Sequence, residues 1–193
     1  MAQRALDGRD ALQVPDGFVG VPGNPARNAA DADRGDRHRA WGSALFLAHI
    51  GGILGGIRIV TVDIDNTNRA AELPRHDSIT YITGSSTDPA IVATVRSHIR
   101  PDDRVMVILD SDHAESHVRA EMEVYGPLVT EGCFLIVEDS NVNGHPVRPD
   151  HGPGPLEAIM TFLPEHAEFQ ADRAREKFLL TANPSGYLRK VSG

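Results

Sequence analysis

The stretch from Arg104 to His145 constrains the fold most, because it repeats one pattern: apolar run, acidic corner, helix, apolar run, acidic corner. Arg104-Val105-Met106-Val107-Ile108-Leu109 is short and almost wholly apolar, as expected of a parallel strand buried on both faces. It ends in Asp110-Ser111-Asp112-His113. Val118, Met122 and Tyr125 then recur at helical spacing with Glu and Arg between them, which predicts a helix from Ala114 to about Tyr125, stopped by Gly126-Pro127. Gly132 opens a second apolar run, Cys133-Phe134-Leu135-Ile136-Val137, which ends in Glu138-Asp139-Ser140-Asn141.

A right-handed crossover between neighbouring parallel strands brings both corners to the carboxyl edge of the sheet, where open α/β sheets bind ligands. Carboxylates gathered there repel one another, and a hard divalent cation with oxygen ligands neutralises them most simply. Either corner taken alone reads first as a helix cap with solvated acids; the two on successive strands, with Glu138 and Asp139 adjacent, favour the metal.

The rest of the chain fits an α/β domain. At 193 residues it is long enough for one real core. A net charge of −8 without any basic run argues against a nucleic-acid surface. No apolar run reaches membrane-spanning length, and the amino-terminal residues have no hydrophobic signal core, so a cytoplasmic location is the expectation. The single cysteine, Cys133, lies in an expected buried strand, which excludes an internal disulfide and a multi-thiolate zinc site.

Residues 1 to about 40 show no periodicity and read as disordered or atypical, with residues 41–193 forming the domain. Ala44 to Leu54 predicts a helix capped by Ser43 and stopped by Gly55-Gly56. Ile57 to Val62 is a β-branched strand ending in Asp63-Ile64-Asp65; such an acid binds ribose hydroxyls or simply caps a turn. Ile79 to Thr83 is a further strand, closed by Gly84-Ser85-Ser86, and Asp88-Pro89 starts the next helix. The polar loop Val142 to Pro153 carries His145, Arg148 and His151 over the same sheet edge, as a lid or substrate loop would. After a helix at Pro155 to Leu163, the runs Lys177 to Thr181 and Tyr187 to Val191 predict an antiparallel hairpin.

Four segments carry a resemblance: Leu109-Asp110-Ser111-Asp112-His113, Ile136 through His145, Gly152-Pro153-Gly154-Pro155 and Arg175 through Leu188. Together they resemble the cephalosporin hydroxylase family, which groups with rhamnosyl O-methyltransferases and, more distantly, with catechol-type O-methyltransferases. The likeness runs from about Gly42 to Val191. It implies a Rossmann-like class I methyltransferase sheet, S-adenosylmethionine (SAM) as cofactor and a magnesium ion. By position, the implied metal ligands are Asp110 or Asp112 with Glu138 and Asp139. Asp63 and Asp110 would face the cofactor, with Asp63 on the ribose and Gly84, Ser85 and Ser86 near the adenine. His113 or His145 would take the proton from a substrate hydroxyl, although for His113 a capping or supporting role outweighs the catalytic one.

One departure stands out. The family's first strand ends in a Glu-x-Gly-x-x-x-Gly-Gly-Ser pattern around the cofactor's methionine end, of which only Gly42 and Ser43 match. Gly35 and Arg37 stand where the Glu and first Gly belong, so the first strand reads as missing or replaced. The run Leu12-Gln13-Val14 with Phe18-Val19-Gly20-Val21 is a weak substitute, because of Pro15 and Gly17. On this reading, deleting residues 1 to about 38 costs little stability, and SAM binds more weakly than in an intact relative. The implied function is Mg-assisted, SAM-dependent O-methylation of a sugar, lipid-linked sugar or secondary-metabolite hydroxyl, by a monomer or a homo-oligomer. The alternative is a truncated, non-catalytic relative that keeps the fold but not cofactor binding. A third reading, metal-assisted hydrolysis at the carboxylate cluster, predicts turnover without SAM.

Overall fold

A computed structural model describes residues 18–22, 39–53, 56–64, 75–177 and 181–191. Seven strands form one sheet in the order β3-β2-β1-β4-β5-β7-β6. The strands are β1 (Phe18–Pro22), β2 (Ile59–Asp63), β3 (Ile79–Thr83), β4 (Val107–Asp110), β5 (Phe134–Val137), β6 (Phe169–Ala171) and β7 (Tyr187–Lys190). The helices are α1 (Arg39–Ile53), α2 (Pro89–Ser97), α3 (Glu115–Tyr125) and α4 (Pro155–Phe162). Strands β1 to β5 pair in parallel, and β7 is antiparallel to both β5 and β6. This is the α/β class I methyltransferase sheet with an antiparallel carboxyl end.

The strands alternate their burial between two faces, so each face needs its own helices. Val60 and Val62 of β2, Val107 and Leu109 of β4, Leu135 and Val137 of β5 and Leu188 of β7 share one core with α2, α3 and α4. Ile59, together with Ile57, packs instead on Ala44 and Ala48 of α1, with Met106 and Ile108 partly buried against that cluster. Among the described residues no helix is long and apolar enough to cross a membrane.

Four sequence expectations are corrected. Phe18–Pro22 is a strand, β1, and it lies at the centre, bonded to β2 on one side and β4 on the other. The Phe18 part of the weak substitute therefore fills the place of the missing first strand, with Pro22, which cannot donate to a ladder, as its last residue; Leu12, Gln13 and Val14 lie outside the described residues. The α1 helix begins at Arg39, which puts Gly42 and an exposed Ser43 inside the helix, so Ser43 is not its cap. The partner of β7 is β6, not the run Lys177 to Thr181; Lys177 and Thr181 lie outside any strand, and Phe178 to Leu180 are outside the described residues. The organising strand itself is shorter than its apolar run, starting at Val107. Leu54, Gly55, Asp65, Gly35 and Arg37 also fall outside the described residues.

Candidate functional site

The register of β4 on β5 sets the site. Leu109 pairs with Val137, and Glu138 N–H donates to the Leu109 carbonyl at 2.9 Å, so the chain emerges from both strands side by side at Asp110 and Glu138. Asp139 then turns back with φ of 53°, in the left-handed region that Asp and Asn tolerate better than most residues. Three contacts hold this turn against a distant segment. Asp139 N–H donates to Asn183 Oδ1 (2.9 Å), Ser140 Oγ to the Pro184 carbonyl (2.8 Å) and Asn141 N–H to the Ala182 carbonyl (3.0 Å). Gly186 allows the segment to approach, because a Cβ there would lie 2.2 Å from the Val137 carbonyl oxygen.

The result is a convergence of Asp110, His113 and Asp139, whose ligand atoms lie within 4.8 Å of one another. His113 Nε2 lies 3.5 Å from Asp110 Oδ1 and 3.7 Å from Asp139 Oδ2. That nitrogen is buried without a hydrogen-bond partner. Burial opposes protonation of His113, but the carboxylates of Asp110, Asp139 and Asp112 outweigh it and raise its pKa. Burial, reinforced by Asp110 and Asp139, pushes Glu138 up to about 7. The Asp110 and Asp139 carboxylates, which with burial raise the pKa of Glu138, stand beside an orphaned imidazole nitrogen, a donor set that fits a hard divalent cation.

The other expected residues fall in distinct places. Asp112 Oδ1 accepts from Ala114 N–H at 2.9 Å and so caps the turn into α3, apart from the Asp110–His113–Asp139 group. His145 is held at the head of α4, its Nε2 2.8 Å from Glu157 Oε1. Glu157 also accepts from Asn143 Nδ2 (2.9 Å) and Gly154 N–H (2.7 Å). Burial works against the charge of Glu157, yet these bonds outweigh it and hold its pKa at about 2. The loop is tied to α3 as well, since Glu115 N–H donates to the Pro153 carbonyl.

Asp63 ends β2 nearly buried, and its carbonyl accepts from Gly84 N–H at 2.8 Å, which brings the post-β2 and post-β3 corners together. Gly84 has φ of 151°, and a Cβ there would meet the Ile91 side chain at 2.5 Å. Ser85 Oγ is 3.2 Å from Thr87 Oγ1, and Ser86 is buried.

Sequence reasoning missed three residues of α3. His117, Glu121 and Tyr125 recur every four positions, so they lie on one helix face. Glu121, read among the charged spacers of the helix, has no exposed surface. The His-x-x-x-Glu-x-x-x-Tyr spacing was the available signal. Asn183 and Glu157, which organise the acidic turn and the loop, had no signal of comparable strength.

The family described as rhamnosyl O-methyltransferase/CmcI matches residues 34–191 of this chain. The rhamnosyl O-methyltransferase of Mycobacterium tuberculosis (strain ATCC 25618 / H37Rv) is 40% identical over 154 residues, covering 78% of this chain and 63% of that protein. That of Mycobacterium leprae (strain TN) is 41% identical over 155 residues, covering 78% and 67%. The chain thus spans about 63% of the length of the first of these relatives. Among solved structures, the MycE methyltransferase of the mycinamycin biosynthetic pathway, in complex with Mg, SAH and mycinamycin VI, superposes with a TM-score of 0.54 at 19% identity, over 81% of this chain and 40% of that one. The O-methyltransferase TomG from Streptomyces achromogenes, involved in tomaymycin synthesis and in complex with SAM, gives 0.55 at 18% identity, over 93% and 74%. These two likenesses concern the fold.

Proposed function

Because this chain belongs to the rhamnosyl O-methyltransferase/CmcI family, we propose that it is a SAM-dependent, Mg-assisted O-methyltransferase acting on a hydroxyl of a sugar, lipid-linked sugar or secondary metabolite. The observation that carries the reading is the convergence of Asp110, His113 and Asp139 at the carboxyl edge. Asp110 and Asp139, with Glu138 beside them, would hold the cation; Asp63 and the Gly84–Ser86 turn would hold the adenosine half of SAM. When bound, magnesium would supply Lewis acidity to the substrate hydroxyl and SAM the methyl group.

The chain's own task is then proton transfer and positioning. His113 Nε2 is the base, since it is buried, without a hydrogen-bond partner and within 4 Å of both cation-holding carboxylates. Those carboxylates stabilise the imidazolium that forms once the proton arrives. His145 orders the loop through Glu157 and so shapes the substrate side. A cytoplasmic location and a small-molecule substrate belong to the same proposal, and oligomerisation is left open by it. The absence of the family's Glu-x-Gly pattern supports a lower SAM affinity than in relatives that carry it.

The test is methyl transfer from labelled SAM to a panel of rhamnosyl glycolipids and macrolide hydroxyls, with and without chelator. Expected is a labelled, chelator-sensitive product that the His113→Gln variant forms at least about a hundred-fold more slowly. Cation binding without SAM binding would instead support the truncated, non-catalytic relative. Metal-dependent turnover without SAM would support hydrolysis.

A further inference from the structure

We propose that Glu121 and His117 are positioning residues that set the adenine side of the cofactor crevice, by strapping the loop after β3 to the turn after β4. The inference rests on the methyltransferase reading and deepens it.

Two walls of that crevice come from different strand ends, and α3 reaches both. Ser111, directly after β4, donates its Oγ to Glu121 Oε2 at 2.7 Å. Glu121 Oε1 lies 3.4 Å from His117 Nε2, which is in turn 3.3 Å from Ser86 Oγ in the loop after β3. One turn further along the helix, Tyr125 OH donates to the Ser86 carbonyl at 2.7 Å. The loop continues to Gly84, whose N–H is bonded to the Asp63 carbonyl. These contacts link the end of β4 to the end of β2 through α3; the Glu121–His117 step is an ion-pair approach, since Glu121 Oε1 is buried without a hydrogen-bond partner among the described residues.

Packing alone does not account for this arrangement. Glu121 sits in α3 between Val118 and Met122, both in the apolar core, and is itself 0% exposed. A buried carboxylate is unfavourable unless hydrogen bonds and a counter-charge compensate it, and an apolar side chain would fill the same space without that cost. Here the compensation comes from Ser111, directly after β4, and from His117, which also contacts Ser86 in the loop after β3. Glu121 raises the pKa of His117, chiefly through their contact, which favours the protonated imidazole. That contact adds a side-chain link between the loop after β3 and the turn after β4, beside the Tyr125 bond to the Ser86 carbonyl.

The test uses the full chain, with S-adenosylhomocysteine binding by calorimetry, Mn2+ binding by electron paramagnetic resonance and thermal unfolding on each variant. His117→Ala should weaken S-adenosylhomocysteine binding about ten-fold, with Mn2+ affinity within about two-fold of wild type. His117→Gln, which keeps a donor in reach of Ser86 and Glu121, should recover most of that loss, and Glu121→Gln should fall between the two. If wild type binds S-adenosylhomocysteine and the His117 and Glu121 variants bind it equally well, the strap is overturned while the methyltransferase reading stands. Parallel loss of both ligands with a lowered melting temperature also overturns it, as a merely structural role. If wild type binds no S-adenosylhomocysteine, the methyltransferase reading falls and this inference with it.

Discussion

Two groups of acids in this molecule are close enough to suggest a cation, and they are settled in opposite ways. At the carboxyl edge, Asp110 and Asp139 meet around His113, which among the described residues is the only basic side chain ion-paired with them. At the far side of α3, Glu123 and Glu165 gather with His166. There Arg119 lies among them: its Nε donates to Glu123 Oε1 at 2.8 Å and its terminal nitrogen bonds Glu165. Its guanidinium also sits over the Phe162 ring, on which His166 stacks at 3.8 Å. The difference appears in the protons. Burial raises the pKa of both Glu123 and Glu138, but Arg119 reverses the effect for Glu123 and brings it below the ordinary range, whereas Glu138 is carried up to about 7. Proximity of carboxylates is therefore a poor sign of a site. A counter-charge missing from the protein itself is a better one.

The sharpest way to break this comparison is to remove the strand that carries only one of the two groups. Deleting residues 1–38 takes away β1, which joins β2 to β4, and so splits the sheet beside Asp110. The expected outcome is loss of a cooperative unfolding transition and of Mn2+ binding, read by circular dichroism and paramagnetic resonance. A wild-type midpoint would show that the sheet closes without β1. This reverses the expectation from sequence that the segment contributes little.

Single substitutions sharpen the contrast further. Asp139→Asn should weaken Mn2+ at least about ten-fold, since it removes a charged oxygen ligand yet keeps a residue at ease with positive φ. Glu165→Gln should leave Mn2+ affinity unchanged. Without metal the order inverts: Asp139→Asn should raise the unfolding free energy by about 0.5–1 kcal/mol by relieving repulsion, as expected of a site kept for binding at the expense of stability. Glu165→Gln should change it by less than about 0.5 kcal/mol, because exposed ion pairs contribute little. Equal stability changes in the two variants would erase the distinction drawn here.

A further effect concerns an acid that is settled by hydrogen bonds rather than by an arginine. Glu157 has its pKa held at about 2, below the ordinary value of 4.5, so its contribution is fully present above about pH 4.5 and is lost as pH falls towards 2. Glu157→Gln should flatten the acid limb of the stability profile in that window by about 1–2 kcal/mol. An unchanged acid limb would mean that His145 and Asn143 do not hold the charge.

Much of this was legible in sequence because buried parallel strands advertise themselves. The apolar runs around Val60, Leu109 and Leu135 announce β2, β4 and β5, and the acids that follow them must then share one edge. The central strand was obscure for a physical reason. Phe18-Val19-Gly20-Val21 is short and bounded by Gly17 and Pro22, and its strand character comes from the ladders of β2 and β4 on either side. β6 is three residues long and shows no periodicity. Between Asp110 and Asp112 sequence could not choose, since an acid two residues from a helix start serves as a cap or a ligand equally well. Glu121 looked like a solvated spacer because Arg119 and Glu123, its neighbours on α3, are exactly that kind of surface pair.

The turn at Asp139 has a consequence in time. Its backbone is secured by Asn183, Ala182 and Pro184, about forty residues further along the chain. During synthesis β4 and β5 leave the ribosome well before that segment, and at ordinary rates of elongation several seconds separate them. In that interval the acids can be present while the left-handed turn that aims Asp139 is not secured. The acidic corner thus matures with the carboxyl end of the chain, and a nascent chain can pair β4 with β5 before it becomes competent to hold a cation.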